Sequence, residues 1–593
     1  MKKILLLLVT LFVTQMTVSA QGWPANYSGV MLQGFYWDSY DDSAWTKLEK
    51  KSADMSHYFS LVWIPQSGNC GGTSMGYNPL YYYDQNSSFG TEAELKSMIN
   101  AFKQNGTGVI ADVVVNHRGN LSTWVDFPRE VNPLDGKTYE MLSTDICKND
   151  DGGETAKHTG GLSLSPNNDE GEDWAVMRDL DHKSENVQNC VKAYVKYLVD
   201  YLGYTGFRYD MVKGFKGSHV KDYNQYAGVQ YSVGECWDSN QTIENWIEST
   251  DRNSAAFDFQ FRYNVRDCIN KNNWTELGST NNMNHDANYR RYAVTFVENH
   301  DTEYRYADYQ QDPIRKDTLA ANAWLLANPG TPCVFFKHWL DCKKEIKQMI
   351  EARKLAGITN QSDFENLGGY STRYVRKVKG TKGDLIVAVG TTIDRFNVPD
   401  GFKQILSGYH YAYYTNADTS TWEATLNRIN QEMEDEQNEE ESFDTPTPGY
   451  TFNAYFLAPD NWKNTIRAWV WDNNHNGQNY TGGSWPGEKC YKIGRAADGR
   501  AIWQWCYYGS LTDVPTHIIF NNSGSPQTAD MLFTNGGWYQ ATSTQAEPTL
   551  GVNNVNDNDD DDCNGYIYNL AGQKVDASYK GIVVKNGKKY INK

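Results

Sequence analysis

Three segments of the chain end a strand-like apolar or aromatic run with a carboxylate. They are GFRYD, YSVGE and AVTFVENHD, which end at Asp210, Glu235 and Asp301. Burying an isolated charge is costly, so an acid at the tip of a buried strand is expected to be paired, bound to a metal or catalytic. The three tips therefore predict one shared site.

Two of these acids suit the cleavage of a glycosidic bond. Two carboxyls about 5 Å apart on either side of a sugar let one attack the anomeric carbon while the other protonates the leaving oxygen. Wider spacing would admit a water and invert the centre, and the sequence leaves this choice open. Arg208 precedes Asp210 by two residues, so it lies on the same side of the strand and would hold Asp210 ionised. The simpler alternatives are a buried ion pair of Arg208 with Asp210, and a solvated strand end at Glu235.

Eight strand-like runs alternate with amphipathic stretches between residues 28 and 350. The runs cover residues 30–37, 61–66, 109–117, 206–210, 231–235, 256–259, 293–301 and 331–336. Helical patterns lie between several of them, as at 184–203, where Ser184 is a predicted N-cap and Gly203 a predicted end. The alternation favours an α/β fold with a parallel sheet, and eight repeats favour a closed (β/α)8 TIM barrel. Ligands bind such barrels at the carboxyl ends of the strands, where the three acids fall.

Further domains are expected around and after the barrel. The connection from Arg118 to about Arg178 is too long for a simple loop and is rich in Gly, Asn and Asp. It predicts a small domain inserted after strand 3. The acidic stretch from Glu423 to Pro448, which ends in prolines, predicts a linker. The short strand-like runs from Tyr450 to Gln540, which are dense in Trp, predict a β-sandwich. The predicted parts are a barrel at 21–356 with the insert at about 118–178, an antiparallel β-domain at 357–420, an acidic linker at 421–449, a sandwich at 450–542, and a second acidic linker with a C-terminal tail at 543–593.

The first 20 residues have the pattern of a secretory signal peptide. Two lysines precede an apolar run from Ile4, and Val18, Ser19 and Ala20 form a small-residue cleavage site. No later stretch is apolar enough to predict a membrane span, so a secreted or extracellular protein, with cell-surface display as a variant, is expected. Ten cysteines in a chain of 593 residues do not indicate a disulfide scaffold, and a local bridge between Cys490 and Cys506 is left open.

The overall charge limits the choice of partner. A net charge of −18 disfavours nucleic acid and anionic membranes, which bind clustered Lys and Arg. Aromatic residues make up 14% of the chain, with 19 Trp and 40 Tyr, and flat aromatic faces suit sugar rings as well as ordinary cores. We therefore expect a monomer that binds a neutral polysaccharide.

Four segments resemble the signature motifs of the α-amylase family of glycoside hydrolases. They are DVVVNH at 112–117, FRYDMVKGF at 207–215, GECWD at 234–238 and FVENHD at 296–301, in the family's order. The resemblance implies that Asp210 is the nucleophile, Glu235 the general acid/base, and Asp301 the acid that grips the distorted sugar. It extends over about residues 25–415 and is closest to plant-type and bacterial α-amylases.

The resemblance also implies a set of substrate-binding residues. GYNP at 76–79 looks like the family segment whose tyrosine stacks on the sugar being cleaved, and GTPCVFFKH at 330–338 resembles the last-strand motif. A lone histidine is more often structural, but the histidines within these motifs are interpreted as ligands to sugar hydroxyls. The implied residues are Tyr77 for stacking, His117 and His300 for hydroxyl groups, Arg208 for positioning Asp210, and Lys213 for the leaving-group side.

A structural Ca²⁺ where the insert meets the barrel is a further implication. Calcium takes six to eight oxygen ligands, including carboxylates and carbonyls. DEGEDWAVMRDLDH at 169–182 resembles the family stretch that supplies them. By position the ligands would be Asn116, Asp169 and Asp179, with carbonyls from Glu172 and Gly214. A merely solvated acidic loop is the alternative.

The segments IRAWVWDNN, SWPGEK and IIFNNSGSPQTADM resemble a small starch-binding β-sandwich module. Trp469 and Trp485 are the predicted sugar platforms, with Gln527 as a polar partner. Trp471 lies on the same strand face as Trp469 by spacing, which leaves open that one of the two is a core residue. The C-terminal tail resembles sorting tails of proteins exported by Bacteroidetes-like bacteria, with a plain β-hairpin as the alternative.

The expected function is a secreted, calcium-dependent, endo-acting α-amylase. It would cleave internal α-1,4 links of starch and related α-glucans with retention, by double displacement. A debranching or transglycosylating α-glucan enzyme is the alternative within the family. An inactive surface starch-binding protein is the alternative outside enzymes, and its signature would be a missing carboxylate, whereas Asp210, Glu235 and Asp301 are all present.

Overall fold

The computed structural model describes residues 22–306, 309–440, 443–462, 464–496 and 498–541, and short strands at 543–545, 567–569, 574–575, 581–585 and 588–592. The predicted signal peptide and the predicted linker at 552–562 lie outside the described residues. The chain divides into two compact units, one up to residue 433 and one from residue 434. Among the described residues, no helix is both long enough and apolar enough to cross a bilayer.

All eight predicted barrel strands are present and close into a parallel barrel, each strand paired with the next and the eighth with the first. Their bounds are β1 Met31–Gln33, β2 Leu61–Trp63, β3 Gly108–Val113, β4 Gly206–Tyr209, β5 Tyr231–Gly234, β6 Ala255–Phe257, β7 Ala293–Thr295 and β8 Thr331–Phe335. They are shorter than the apolar runs. The polar ends of the motifs therefore lie in the loops beyond the strands, where they are free to line a cleft.

Helices lie between the barrel strands and follow the last of them. Thr91 begins the helix after β2 with a capping box, and Ser184 caps the helix before β4 as predicted. Gly203, with φ of 94°, ends the single π-helical turn, Leu198–Leu202, that continues that helix. The α-helices that accompany the barrel are Trp45–Lys50, Ser52–Tyr58, Glu92–Gln104, Glu185–Tyr197, Gly217–Ala227, Asn240–Ser249, Phe259–Lys271, Thr318–Ala327, Phe336–Asp341 and Lys343–Ala356.

The long connection after β3 contains short irregular elements, in agreement with an inserted domain at that point. Its two antiparallel pairs are His117–Arg118 with Arg178–Asp179, and Arg129–Val131 with Thr138–Glu140. After the barrel a five-stranded antiparallel sheet follows, as predicted. Its strands, in spatial order, are Phe364–Tyr370, Arg373–Lys379, Asp384–Gly390, Tyr411–Thr415 and Lys403–Gly408.

The prediction of a linker at 421–449 is wrong for its first part, because Trp422–Glu440 forms a helix. Trp422 and Ile429 are buried in the hydrophobic core of the first unit, and Glu432 accepts hydrogen bonds from Tyr58 and Lys347. The acidic composition of the segment led to the prediction of a self-repelling linker. The apolar residues Trp422, Leu426 and Ile429 are spaced by four and three residues, which is typical of one helix face. This helix face is packed, and only the remainder of the stretch still fits a linker.

The Trp-dense region folds as two antiparallel-rich sheets that share one core, as predicted for a β-sandwich. One sheet contains Tyr491–Arg495, Ala501–Tyr507, Phe452–Leu457, Gly537–Gln540 and Ser543–Gln545; the other contains Gln478–Asn479, Ile466–Asp472, His517–Asn522 and Met531–Leu532, with Glu488–Lys489 at its side. Cys490 and Cys506 are both buried free thiols, so the bridge left open by the sequence is not formed.

The tail contains a four-stranded antiparallel sheet with the spatial order Lys574–Val575, Ile567–Asn569, Gly581–Lys585 and Lys588–Asn592. This is more than the single β-hairpin considered as the alternative to a sorting tail.

Candidate active site

One cavity of about 450 Å³ opens at the carboxyl ends of the barrel strands. Asp210, Glu235 and Asp301 all line it, so the structure brings the three predicted acids together. The other lining residues are Trp37, Tyr77, His117, Glu172, Trp174, Met211, Lys213 and Trp237. Arg208 and His300 are fully buried behind this wall, and they contact the acids from below.

Arg208 binds two of the acids with its two terminal nitrogens. Its Nη1 donates to Asp210 Oδ1 at 2.7 Å, and its Nη2 lies 2.9 Å from Glu235 Oε1. The backbone N–H of Met211 donates to the other oxygen of Glu235 at 3.1 Å. The two carboxyls are thus fixed on neighbouring corners of one planar group, which gives more geometric precision than two separate cations would.

Asp112 is a third carboxyl on the same guanidinium, and the sequence analysis did not assign it a role. Its Oδ1 accepts from Arg208 Nη1 at 2.7 Å, while its Oδ2 accepts from Tyr77 and Trp63 at 3.0 and 3.1 Å. Asp112 lies opposite Arg208 in the pairing of β3 with β4. Its position next to the carboxyl end of β3 is the sequence signal that could have identified it. Asp112 ties the ring of Tyr77 to the group that holds Asp210.

Burial and the crowding of negative charges give Asp210 and Glu235 different pKa values. Burial, followed by the charges of Asp112 and Asp301, raises the pKa of Asp210 to about 6 despite Arg208. Burial, followed by Asp210 and Asp301, raises the pKa of Glu235 to about 8. One arginine cannot neutralise three carboxylates, so a proton stays on the group that binds it most tightly. At neutral pH the pair therefore consists of an ionised Asp210 and a protonated Glu235.

Asp301 is the most exposed of the three acids and lies between two cationic or hydrogen-bonding groups. His300 Nε2 is 3.1 Å from Asp301 Oδ2, and Arg305 Nη2 is 3.4 Å from Oδ1. Arg305 also donates to the His300 carbonyl at 2.6 Å and lies over the ring of Trp37. Arg305 was not among the predicted site residues, because it follows Asp301 by four residues and lies outside the motif.

Aromatic rings form the floor beside these acids. The ring of Tyr77 stacks on His300 at 5.2 Å and on Trp37 at 6.2 Å, with interplanar angles of 12° and 6°. Trp37 was missed, although it closes the first predicted strand run. Trp37 and Tyr77 line the cavity, so their flat faces are suited to hold one sugar ring, while buried His300 supports them.

His117 is in the cavity wall, but both of its ring nitrogens already have protein partners. Nε2 bonds the Tyr77 carbonyl at 2.9 Å, and Nδ1 is 3.4 Å from the amide of Asn116. Burial lowers the pKa of His117 to about 4, so the ring is neutral at working pH. In this geometry His117 mainly holds the Tyr77 loop, and a sugar hydroxyl would have to replace or share one of its bonds.

Lys213 spans the opposite side of the cavity. Its Nζ contacts Glu172 at 2.7 Å, from the inserted domain, and Asp238 at 3.2 Å, from the loop after β5. Trp237 lies next to this bridge, stacked on Phe259 and donating to the Tyr263 hydroxyl at 2.6 Å. Trp237 is within GECWD and was missed as a contact. Lys213 and Trp237 offer a charged and a flat surface on the side where the loop that carries Glu235 begins.

Four aspartates of the inserted domain lie in one cluster. One oxygen each from Asp150, Asp173 and Asp179 lies within 4.8 Å of the others, and Asp169 interacts electrostatically with Asp173 and Asp179. Burial first, then the neighbouring acids, raises the pKa of Asp179 to about 10, and the buried Oδ2 of Asp169 has no hydrogen bond within the described chain. Crowded, unsatisfied carboxylate oxygens are the donor set that Ca²⁺ prefers. The residues present fit a bound cation.

The predicted calcium ligands are only partly brought together. Asn116 donates to Asp179 Oδ1 at 3.2 Å, and Gly214 lies so close to the Asn116 amide that a Cβ there would clash with it. The predicted ligand from Glu172 is its carbonyl, which stays a prediction: the Glu172 N–H donates to the Lys213 carbonyl at 3.0 Å, and its carboxylate pairs with Lys213. Asp173 and Asp150 were missed, since a merely acidic loop gives no spacing signal. Asp150 is already occupied by Arg178, Thr155 and the Asp179 N–H.

In the sandwich, Trp469 and Trp485 lie together with ring centroids 6.0 Å apart. Trp485 is 45% exposed, and Gln527 is exposed on a loop that bridges to Asn521. The strand alternates as predicted, with Ile466, Ala468 and Val470 buried, so neither Trp469 nor Trp471 is a core residue. Trp471 instead stacks on His517 at 5.2 Å on the same outer face.

Comparisons with known proteins agree with both regions. Residues 61–341 match the family model for the α-amylase catalytic domain, and residues 454–533 match that for starch-binding module 26. The chain is 28% identical over 411 residues to probable α-amylase 2 of Arabidopsis thaliana, which covers 65% of this chain and 93% of that protein. It is 26% identical over 406 residues to glucan 1,4-α-maltotetraohydrolase of Roseateles saccharophilus, covering 61% and 68%. The crystal structure of an α-amylase from Geobacillus thermoleovorans with acarbose aligns with a TM-score of 0.46 and 15% identity, covering 65% of this chain and 98% of that one.

Proposed function

We propose that this glycoside hydrolase, whose residues 61–341 match the α-amylase catalytic domain and whose residues 454–533 match starch-binding module 26, is a secreted, endo-acting α-amylase. Its substrate would be starch and related α-glucans, cut at internal α-1,4 links. The mechanism would be double displacement with retention of the anomeric configuration.

The observation that carries this proposal is the shared contact of Asp210 and Glu235 with Arg208. Neighbouring guanidinium nitrogens keep the two carboxyls close, as retention requires, where the separation is about 5 Å rather than the wider gap of inverting enzymes. Their different pKa values, about 6 and about 8, supply one ionised and one protonated acid.

In the first step Asp210 attacks the anomeric carbon and forms a covalent glycosyl ester. Glu235 transfers its proton to the oxygen of the departing glucan chain, so the bond to that oxygen breaks as the ester forms. In the second step Glu235, now ionised, takes a proton from water, and the resulting hydroxide-like oxygen displaces Asp210. Asp301 would hold hydroxyls of the distorted sugar and stabilise the positive charge that develops on it in the transition state of each step.

A structural Ca²⁺ fits the acid cluster of the inserted domain. Asp169, Asp173 and Asp179, together with the amide oxygen of Asn116, would hold it, since Asp150 is already bonded to Arg178. When bound, the ion would neutralise these carboxylates and fasten the insert to the barrel. Asn116 adjoins His117, so the ordered cluster also supports the wall of the cavity.

The module would increase the local concentration of starch near the catalytic domain without changing the chemistry. Secretion is proposed from the N-terminal signal-like sequence, because an insoluble polymer is degraded where the enzyme can reach it.

The function is tested with amylose and pullulan as parallel substrates. We expect rapid loss of amylose chain length with a range of oligosaccharide products, little attack on pullulan, and α-anomers as first products by NMR. Glu235→Gln should abolish turnover while granule binding remains. A β-anomer as first product would refute the mechanism, release of one short product from chain ends would refute endo action, and near-normal activity of Glu235→Gln would refute the role of Glu235.

A further inference from the structure

We propose that Gln33 fixes the tautomer of His300. Its side-chain amide donates to Nδ1, which keeps the single ring proton on Nε2, the nitrogen on the side of Asp301. Gln33 is thereby a positioning residue for the reaction, and this inference rests on the proposed function for its consequence in catalysis. The tautomer itself can be measured without any activity.

The direction of the hydrogen bond follows from the other side of the ring. His300 Nε2 lies 3.1 Å from Asp301 Oδ2, and at this distance the negative carboxylate favours a proton over a lone pair on that nitrogen, although the N–H does not point directly at the oxygen. We therefore place the proton on Nε2. Nδ1 is then an acceptor, so the atom of Gln33 that lies 3.0 Å away must be its NH₂ group.

The imidazole is neutral in this arrangement. A second proton on Nδ1 would face the N–H of Gln33 and remove the hydrogen bond. Burial, together with the positive charges of Arg208 and Arg305, lowers the pKa of His300 to about 4 against the opposing effect of Asp301. Both Gln33 and His300 are only 1% exposed, so water does not compete for these bonds.

The ring cannot easily turn over to exchange its nitrogens. It stacks on Tyr77 at 5.2 Å, the tilted ring of Phe35 packs against it at 5.0 Å, and Trp63 meets it in a T-shaped contact at 5.6 Å. Gln33 is the last residue of β1 and His300 lies in the loop after β7, so the hydrogen bond joins this loop to the barrel.

The N–H on Nε2 is available to a ligand. Although it lies close to Asp301, it is a buried polar atom without an aligned hydrogen bond in the described part of the chain. The carboxylate of Asp301 lines the cavity, so a sugar hydroxyl placed against it can accept from Nε2–H and donate to Asp301. With the opposite tautomer the same nitrogen would only accept, and the hydroxyl would lose one of these two bonds.

The direct test is the ¹⁵N spectrum of the imidazoles in the full-length protein labelled at histidine. The His300 signals are assigned by their absence in His300→Gln. We expect, between pH 5.5 and 8, a protonated Nε2 and an unprotonated Nδ1 that do not titrate. A proton on Nδ1, or an imidazolium in this range, would overturn the proposal, even if starch hydrolysis were normal.

Two substitutions give a functional readout. In Gln33→Glu the donor becomes an acceptor, so His300 lies between carboxylates on both nitrogens, with Arg208, Arg305 and the Tyr77 hydroxyl as the other ionisable groups around it. The ring should then hold two protons at low pH and lose one as the pH rises. This titration adds an alkaline limb to the pH profile of kcat/KM. The value of kcat/KM near pH 7 should fall roughly tenfold or more. Gln33→Met keeps the volume but has no donor, and it should lower kcat/KM by about threefold to tenfold without changing the shape of the profile.

Gln85→Glu is the matched control, because Gln85 is fully buried, donates to the Tyr82 carbonyl and accepts from Ser67, and does not contact the cavity. It should lower the melting temperature but leave the pH profile unchanged. If Gln33→Glu gives the wild-type pH profile, or if Gln85→Glu gives the same new limb, the proposal is wrong. If Gln33→Glu does not fold, the tautomer measured in Gln33→Met and in the wild type decides.

Discussion

Asp210 and Glu235 lie on adjacent nitrogens of one guanidinium group, at 2.7 and 2.9 Å. Neither carboxyl can move without disturbing the other. Because Arg208 also binds Asp112 at 2.7 Å, the cation is shared among three acids and leaves them under-neutralised. This shortage of positive charge, combined with burial, leaves Asp210 ionised and Glu235 protonated at neutral pH, as the proposed mechanism requires.

The pH dependence of kcat/KM should be bell-shaped. The proposed mechanism requires Asp210 ionised and Glu235 protonated, so activity should rise with pH through about 6 and fall through about 8, as apparent values of the coupled pair. In Asp301→Asn the residual activity should show both limbs at lower pH, because the charge of Asp301 raises both pKa values. Initial rates on a soluble maltooligosaccharide between pH 4 and 10 measure both profiles. Limbs that stay in place in Asp301→Asn would contradict this account.

The barrel and its catalytic acids could be predicted because their signals are local. Each strand is a short apolar run, and each acid ends one of them, as with Asp210 after β4 and Glu235 after β5. Residues that reach the site from outside a motif were missed, including Arg305 and Trp37. Their roles depend on which rings and carboxylates they meet after folding, and a spacing rule contains no such information.

The linker prediction was also wrong at the Trp422–Glu440 helix because of the charge of that segment. A run of acids suggested a self-repelling linker, whereas Glu432 is paired with Lys347, which is only 1% exposed and also contacts Asp54. Tertiary contacts of this kind outweigh the local repulsion of like charges.

Glu432→Ala should therefore destabilise the catalytic unit. It removes the acceptor of the Tyr58 hydroxyl and one of the two carboxylates on buried Lys347, which we expect to cost roughly 1–3 kcal/mol. The exposed Glu423 at the start of the same helix is the control, and Glu423→Ala should be neutral. Urea unfolding followed by tryptophan fluorescence measures the difference. Activity on soluble starch at 25 °C should be unchanged in both, since neither residue lines the cavity. Equal stability of the two variants would restore the linker interpretation.

The exposed tryptophans of the module should matter for granules and little for soluble starch. Trp485→Ala removes a ring that is 45% exposed next to Trp469, and we expect adsorption to raw starch to weaken about tenfold. Tyr508→Ala is the control, because Tyr508 is similarly exposed at 43% in the same module but lies apart from this pair of rings. Depletion of protein from solution by starch granules measures binding, and reducing-sugar release from soluble starch should be equal in all three proteins. Equal adsorption of Trp485→Ala and wild type would exclude this face as the platform.

Removal of calcium should lower the stability of the protein, and more so at higher pH. In the cation-free protein, burial and neighbouring acids raise the pKa of Asp179 to about 10, while the unfolded chain has an ordinary value near 4. Between these two values the folded state binds more protons than the unfolded state, so the contribution of Asp179 to stability falls as the pH rises. A bound cation replaces the missing proton and reverses this loss.

Melting curves with excess Ca²⁺ and with EDTA, at pH 5.5 and pH 8, measure the effect. We expect a stabilisation of roughly 3 kcal/mol at a hundredfold excess over the dissociation constant, with the larger shift in melting temperature at pH 8. Asp179→Asn should lose most of the calcium response, because the amide bears no charge and one ligand is weakened. Glu172→Gln should keep the response, because the carboxylate of Glu172 bonds Lys213 and lies outside the cluster. A melting temperature that is insensitive to EDTA at both pH values would show that the cluster holds protons and no ion.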